Sequence, residues 1–181
     1  DLRGIPRPIV GYLGGVHQWF DQPLVTTLAE RRPDWSFVLV GPRQTEVSRL
    51  ERLPNVYLLG TRGPDAVPDY LRGFDVATVP YLLAEYTHHV YPVKLNEYLA
   101  MGLPVVSSPL AEVEHFNRRH DDVVAVAATP EAFEAEIAAA LATSSPGRED
   151  ARRAVARANS WSARLDVMTG VIERALAARA R

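Results

Sequence analysis

Lys94 and Glu97 are the residues whose types and spacing best suit the binding of a small ligand. The surrounding segment begins near Pro92 and reaches Gly102, and proline near the start with glycine after the last turn is typical of a helix. A helix brings both side chains to one side and points free backbone amides at a ligand placed over its first turn. A lysine there is unfavourable beside the helix dipole, so an anionic ligand would explain it.

The spacing of these two side chains fits a nucleoside diphosphate. Phosphates would lie over the helix end, and Glu97, one turn deeper, can accept two hydrogen bonds from adjacent hydroxyls such as those of a ribose. A surface Lys–Glu pair, which contributes only about 0.2–0.5 kcal/mol, explains the same spacing equally well. The residues alone leave both interpretations open.

Other loops carry groups that could reach the same ligand. Gly14 and Gly15 follow the first predicted strand and, without a Cβ, allow a sharp turn and a close approach to a ligand; a turn needed only for packing is an equal alternative. Arg43 follows the second strand and could pair with phosphate oxygens, although a single loop arginine is usually solvated. The glycine patterns of dinucleotide-binding and P-loop proteins are not met.

The histidines of the chain do not form a recognisable metal site. His88 and His89 are adjacent, and adjacent residues rarely converge on one ion, while His17 lies in another loop. No Asp-x-Asp pair is present to hold a divalent cation on a diphosphate. We therefore predict no metal, and we interpret these histidines as polar loop residues that contact ligand.

Composition bounds the class of protein. The 181 residues are 47% hydrophobic and 23% charged, which suits one globular domain. A formal net charge of −2 gives no large basic field for nucleic acid or an anionic membrane. The absence of cysteine excludes thiolate chemistry and fits a cytoplasmic location. Residues 1–8 read as a linker without a leading methionine, so we expect a fragment of a longer protein.

Hydrophobic patterning predicts an α/β fold. Short, continuously apolar and β-branched runs are typical of strands covered on both faces, as in a parallel sheet. These runs are residues 9–13, 37–40, 56–59, 76–79, 105–106 and 123–126. Helical patterns between them, with Asp21 and Thr129 as N-cap residues, imply right-handed crossovers and a doubly wound, six-stranded Rossmann-like sheet with helices on both faces.

The C-terminal region carries an apolar stripe at helical spacing. Its members are Trp161, Leu165, Met168, Ile172 and Leu176. We expect the stripe to pack against the domain's own core. The alternative is that part of it docks on a partner domain, because arginines dominate the other faces.

Residues 92–107 resemble the donor-site segment of retaining GT-B glycosyltransferases of the group 1 type. They read Pro-Val-Lys-Leu-Asn-Glu-Tyr-Leu-Ala-Met-Gly-Leu-Pro-Val-Val-Ser. Further similarity to the C-terminal domain of that family follows in order and spacing. It includes Val-Gly-Tyr at 10–12, Trp-Phe-Asp at 19–21, Arg-Pro-Asp-Trp at 32–35, Leu-Pro-Asn-Val at 53–56, Leu-Gly at 59–60 and Phe-Asp-Val at 74–76.

This resemblance implies roles for particular residues. The second glutamate of the family's Glu-x7-Glu motif falls on Glu97, which would hold the ribose, while the first falls on His89, where the donor sugar is contacted. Many relatives carry an arginine and a lysine after the first strand, whereas this chain has Tyr12 and a glycine-rich loop. Lys94, Arg43 or the helix dipole would then neutralise the diphosphate. His89 is the candidate catalytic residue, and the candidate donor-binding residues are Gly14, Gly15, Arg43, Tyr91, Lys94 and Glu97.

The resemblance also implies a function for the whole protein. It would move a sugar from a nucleoside diphosphate sugar to a glycan or lipid-linked acceptor, without a required cofactor or metal. Residues 9–146 would form the donor domain and 147–181 a helical extension, and a missing N-terminal domain would bind the acceptor. A lipid-linked acceptor would bring the full-length protein to a membrane surface. The alternatives are a GT-B-fold nucleotide-sugar epimerase and a non-catalytic nucleotide-binding domain.

Overall fold

The computed structural model describes residues 2–179 and contains a six-stranded, entirely parallel sheet. The strand order is β3-β2-β1-β4-β5-β6. This arrangement confirms the predicted doubly wound Rossmann-like fold. The strands are β1 (Ile9–Leu13), β2 (Ser36–Val40), β3 (Val56–Gly60), β4 (Val76–Val79), β5 (Val105–Ser107) and β6 (Ala125–Val126).

The continuous hydrophobicity of the inner strands reflects their burial on both faces. All residues of β2, β4 and β5 are buried, as are the first four of β1, while β3 and β6 at the edges are half-buried. Helices cover the sheet because parallel strands require crossover connections. They are α1 (Gln22–Arg31), α2 (Ser48–Glu51), α3 (Val67–Gly73), α4 (Glu85–His88), α5 (Lys94–Ala100), α6 (Ala111–Asn117), α7 (Pro130–Ala142), α8 (Pro146–Ala158) and α9 (Trp161–Arg179).

Both predicted N-caps are confirmed. The Asp21 carboxylate accepts a hydrogen bond from the Leu24 amide at 2.9 Å, and the Thr129 hydroxyl accepts one from the Ala132 amide at 3.2 Å. Each bond satisfies an amide that the first turn of a helix leaves without a backbone partner. The two caps fix the starts of α1 and α7.

The strand order reverses between β1 and β4, which places a crevice beyond the carboxyl ends of these two strands. Backbone contacts tie together the loops that follow them. The Asp21 amide donates to the Pro80 carbonyl at 2.8 Å, and the Leu82 amide donates to the Trp19 carbonyl at 2.9 Å. Two loops that are hydrogen-bonded to each other therefore border the crevice.

Helix α5 begins two residues later than the sequence predicts. Pro92 and Val93 precede it, Lys94 is its first residue, and Gly102 follows its end with φ +78°. The Arg152 guanidinium of α8 donates to the Gly102 carbonyl at 3.0 Å. A cation at this end offsets the negative pole of the helix dipole and fixes α5 against α8.

The apolar stripe of α9 lies at the surface, so the expectation that it packs against the domain's own core is wrong. Trp161 is 74% exposed, and none of the residues of α9, all of which the structure describes, is buried. The chain turns at Asn159 and Ser160, between α8 and α9. Across residues 2–179, none of the helices has the length and apolar character needed to cross a membrane.

Candidate functional site

The Lys94 side chain lies at the crevice between aromatic rings. Its Nζ atom is 4.0 Å from the centre of the Tyr12 ring, on β1, and 5.1 Å from the centre of the Tyr81 ring, which follows β4. Within residues 2–179 the ammonium forms no hydrogen bond or salt bridge to another residue. Ring faces attract a cation but, unlike a carboxylate, leave its N–H donors available.

This environment makes the Lys94 amine unusually acidic. Burial lowers its pKa from 10.5 to about 7, and the neighbouring Glu97 carboxylate opposes that change. Burial dominates because an ammonium loses hydration there and gains no hydrogen-bonding anion in return. The site therefore holds a cation that an anionic ligand would stabilise.

The loop after β1 closes over Lys94 at two consecutive glycines. Gly14 has φ +143°, and a Cβ there would clash with the Lys94 ammonium. The Gly14 amide donates to the Val40 carbonyl at 2.8 Å, while the Tyr12 hydroxyl donates to the Gly15 carbonyl at 2.9 Å. A Cβ on Gly15 would collide with Gln44. Both glycines thus permit close packing, and Gly14 does so directly against the predicted ligand-binding lysine.

Tyr98 fixes α5 to the end of β1. It is fully buried, and its hydroxyl accepts a hydrogen bond from the Leu13 amide at 2.8 Å. Burial raises the pKa of this phenol, so it stays neutral. Tyr98 was not among the predicted site residues, although a phenol among apolar helix residues signals a buried hydrogen bond. Through this bond the position of Lys94 is coupled to β1.

Glu97 lies one turn after Lys94 and is exposed to solvent. In the part of the chain that the structure describes, its carboxylate makes no hydrogen bond or salt bridge. It borders a groove of about 500 Å³ between α5 and the turn from α8 to α9. The carboxylate is therefore free to accept hydrogen bonds from a ligand.

Tyr91 precedes α5 and is half-buried. Its hydroxyl donates to the Asn96 side chain at 3.0 Å, and the Arg164 guanidinium lies 5.2 Å from its ring centre. Burial raises the pKa of this phenol. Tyr91 lines the same groove as Glu97.

His17 borders the Lys94 pocket, in agreement with its predicted position in the first loop. Its ring centre is 5.5 Å from that of Tyr81, and its Nδ1 atom accepts a hydrogen bond from the Trp19 amide at 3.1 Å. Burial, followed by the charge of Lys94, lowers the pKa of His17. The neutral ring carries its proton on Nε2, where it can donate to a ligand.

His89 caps the end of the short helix α4 and is exposed. Its ring stands edge-on to that of His88, with 5.0 Å between the ring centres. For residues 2–179, no group of three or more histidines or carboxylates could hold a metal ion. The structure thus places His89 on a solvent-facing loop that follows β4.

Arg43 lies in the loop after β2, where its backbone pairs with Val16 of the loop after β1. Its guanidinium forms an ion pair with Glu51 on α2. Both side chains are close to half exposed, so this pair is a weak surface interaction that a ligand could displace. The structure therefore groups Gly14, Gly15, His17 and Lys94, while Arg43 and His89 lie on separate loops.

Comparison with known proteins identifies the family of the chain. A family model described as "Glycosyl transferases group 1" matches residues 7–143. The chain is 39% identical over 113 residues to the putative teichuronic acid biosynthesis glycosyltransferase TuaH of Bacillus subtilis, which covers 60% of this chain and 28% of that protein.

Solved structures share the fold at low sequence identity. Sucrose-phosphate synthase from Thermosynechococcus elongatus superposes with a TM-score of 0.75 at 18% identity, over 94% of this chain and 46% of that one. HepE of Anabaena in complex with UDP-glucose gives 0.66 at 19% identity, over 95% and 49%. The chain therefore spans about half the length of these proteins. Because the family model covers more than half of its residues, the chain belongs to the group 1 glycosyltransferases.

Proposed function

We propose that the chain is the donor-binding half of a glycosyltransferase that moves a sugar from a nucleoside diphosphate sugar to a glycan or lipid-linked acceptor. The observation that supports this most strongly is the unpaired Lys94 ammonium at the point where the strand order reverses. Within residues 2–179 its N–H donors make no hydrogen bond or salt bridge, and Glu97 offers free acceptors one turn away. A diphosphate with an attached ribose matches this pair in charge and in hydrogen bonding.

The same residues would promote departure of the nucleoside diphosphate. As the bond between sugar and diphosphate breaks, negative charge grows on the leaving phosphate, and a preorganised ammonium stabilises that charge. Lys94, the Gly14–Gly15 backbone and the neutral His17 ring border the place where it would develop. This chemistry needs no metal, and we propose that none is required. His89 is our candidate for contact with the donor sugar.

The donor we favour is a UDP-sugar. HepE has been solved with UDP-glucose, and another structure of the same fold is the UDP-forming α,α-trehalose-phosphate synthase of Burkholderia vietnamiensis. The name of the Bacillus subtilis relative refers to teichuronic acid biosynthesis, so we propose an acceptor in polysaccharide synthesis. Such an enzyme would work in the cytoplasm, next to the membrane where its acceptor is lipid-linked.

We further propose that a second domain completes the enzyme. The exposed stripe of α9 would pack against that domain, residues 1–8 would lead from it, 9–146 would form the donor domain and 147–181 the extension. The chain alone should then bind donor without transferring sugar.

An epimerase would use the same diphosphate site, but the matched relatives are named as transferases or synthases. A non-catalytic nucleotide-binding domain remains the alternative that His89 and Tyr12 favour.

Isothermal titration of the chain with UDP, GDP and ADP tests the proposal. We expect UDP to bind and Glu97→Ala to weaken its affinity by about 10-fold or more, because hydrogen bonds to a charged group are lost. Glu136→Ala, at an exposed glutamate of α7, is the matched control and should bind like wild type. The site assignment fails if no nucleotide binds or if Glu97→Ala and Glu136→Ala behave alike.

A further inference from the structure

Lys94 is the single lysine among the 20 lysine and arginine residues of the chain. Every other such position carries arginine, whose guanidinium stays protonated in proteins, whereas a lysine amine can lose its proton when it is buried. Lys94 is half-buried in the crevice, as the first residue of α5. The one side chain among these lysine and arginine positions that can become neutral near pH 7 is thus placed where the ligand is expected.

Among residues 2–179, no element packed around this amine supplies a counterion that is hydrogen-bonded or ion-paired to it. Tyr12 from β1 and Tyr81 from the loop after β4 present ring faces, and burial raises the pKa of both phenols, which keeps them uncharged. His17 from the first loop has a lowered pKa. Glu97, on the same helix, is the charged group that acts on Lys94, and it forms no salt bridge with it. The rings therefore position the amine without supplying a negative charge that pairs with it.

We propose that Tyr12 and Tyr81 are positioning residues that hold the Lys94 amine between their ring faces, and that binding of the donor diphosphate is accompanied by uptake of a proton on this amine. The inference rests on the proposed function and adds to it a coupling between donor binding and pH. The proton comes from the solvent, the amine becomes an ammonium, and no covalent bond to the ligand forms.

The coupling follows from the two environments of the amine. In the free chain, burial lowers its pKa to about 7, so at pH 8 about nine-tenths of the molecules carry a neutral amine. A diphosphate oxygen within hydrogen-bonding distance favours the ammonium and raises the pKa again. With the pKa of the bound amine back at the ordinary lysine value of 10.5, donor binding at pH 8 should take up about 0.9 proton, against about 0.1 at pH 6.

The single lysine permits a direct measurement. A chain labelled with ¹³C- and ¹⁵N-lysine gives one set of side-chain resonances, and we expect its titration midpoint near pH 7 without ligand and more than one pH unit higher with saturating UDP-glucose. This donor is a suitable probe because its diphosphate is esterified at both ends and lacks the phosphate group that titrates near pH 6. A midpoint near the ordinary lysine value in the free chain, or no change with UDP-glucose, overturns the proposal.

The ring contact has its own spectroscopic signature. Protons above an aromatic face are shifted upfield, so the Lys94 Hε resonances should lie upfield of those of a free lysine. Tyr12→Phe keeps the ring face and should retain the shift, whereas Tyr12→Leu should move the resonances towards the free position. The Tyr81→Phe and Tyr81→Leu variants form a second matched pair. Equal Hε shifts in the Phe and Leu variants at both positions would refute the positioning role.

Calorimetry shows whether Lys94 or His17 takes up the proton. It also measures proton uptake separately from donor binding. Titrating UDP-glucose at pH 8 in buffers with different ionisation enthalpies gives the number of protons taken up. We expect Lys94→Arg to bind without uptake and His17→Gln to retain it. If UDP binds with the expected dependence on Glu97 but uptake is zero, the proposed function stands and the coupling fails. If UDP does not bind at all, both fail.

Discussion

Replacing Lys94 with methionine should make the chain more stable at neutral pH, although it removes the predicted ligand-binding group. The unfolded chain holds this amine at its ordinary pKa of 10.5, whereas the folded chain lowers that pKa to about 7. The native state therefore binds fewer protons than the unfolded state between these values, and its stability rises with pH across that window. Methionine fills a similar volume and carries no charge to desolvate.

The size of the effect follows from the two pKa values. Between pH 7 and pH 9, the wild-type chain should gain about 2 kcal/mol of unfolding free energy from this single group. Lys94→Met lacks the titration, so its advantage over wild type at pH 7 should shrink by the same amount at pH 9. His17 does not interfere, because its lowered pKa places its titration below this window.

Urea unfolding of wild type and Lys94→Met at pH 7 and pH 9, followed by circular dichroism, measures this difference. Arg49→Met is the matched control, since Arg49 is an exposed cation on α2, and its difference from wild type should not change with pH. The reasoning is refuted if the difference between Lys94→Met and wild type is the same at both pH values. It is refuted equally if the variant is the less stable protein at pH 7.

Two further substitutions test how the site is built. Gly14→Ala should weaken UDP-glucose binding at least 10-fold in calorimetry, because its Cβ would displace the Lys94 ammonium. The control is Gly63→Ala, where a Cβ meets nothing within 4 Å and affinity should be unchanged. Equal affinities of the two variants would contradict this prediction. Tyr98→Phe removes the acceptor of a β1 amide and should cost about 1–3 kcal/mol in urea unfolding. Tyr86→Phe, at a side chain that is 59% exposed, should cost nothing measurable, and a similar loss in both variants would argue against a specific role for the buried phenol.

The fold could be predicted from sequence because its determinants are local. Strands buried on both faces must be continuously apolar, and a helix start needs a side-chain acceptor, as at Asp21 and Thr129. Strand bounds differed by two residues or fewer. Pairing of Ser36 with Ile9 extends β2 by one residue beyond its apolar centre, whereas β6 pairs only at Ala125 and Val126 and begins two residues later than predicted. The neighbour of α9 could not be predicted, because an apolar stripe does not specify what covers it.

The candidate site was predictable only where it depends on spacing along one helix. Lys94 and Glu97 are three residues apart in sequence and therefore lie about one turn apart on α5. The rings around Lys94 come from β1 and from the loop after β4, and only the folded sheet brings them together. Arg43 likewise meets Glu51 through tertiary contact, which its position in a loop after β2 does not reveal.

The crystal structure of the chain with UDP-glucose tests the central claim most directly. We predict that a diphosphate oxygen lies within about 3 Å of Lys94 Nζ and that the ribose hydroxyls donate to the Glu97 carboxylate. Both contacts would place the nucleotide at the crevice between β1 and β4. A nucleotide bound elsewhere, or one whose phosphates leave Lys94 between its rings without contact, would contradict the account.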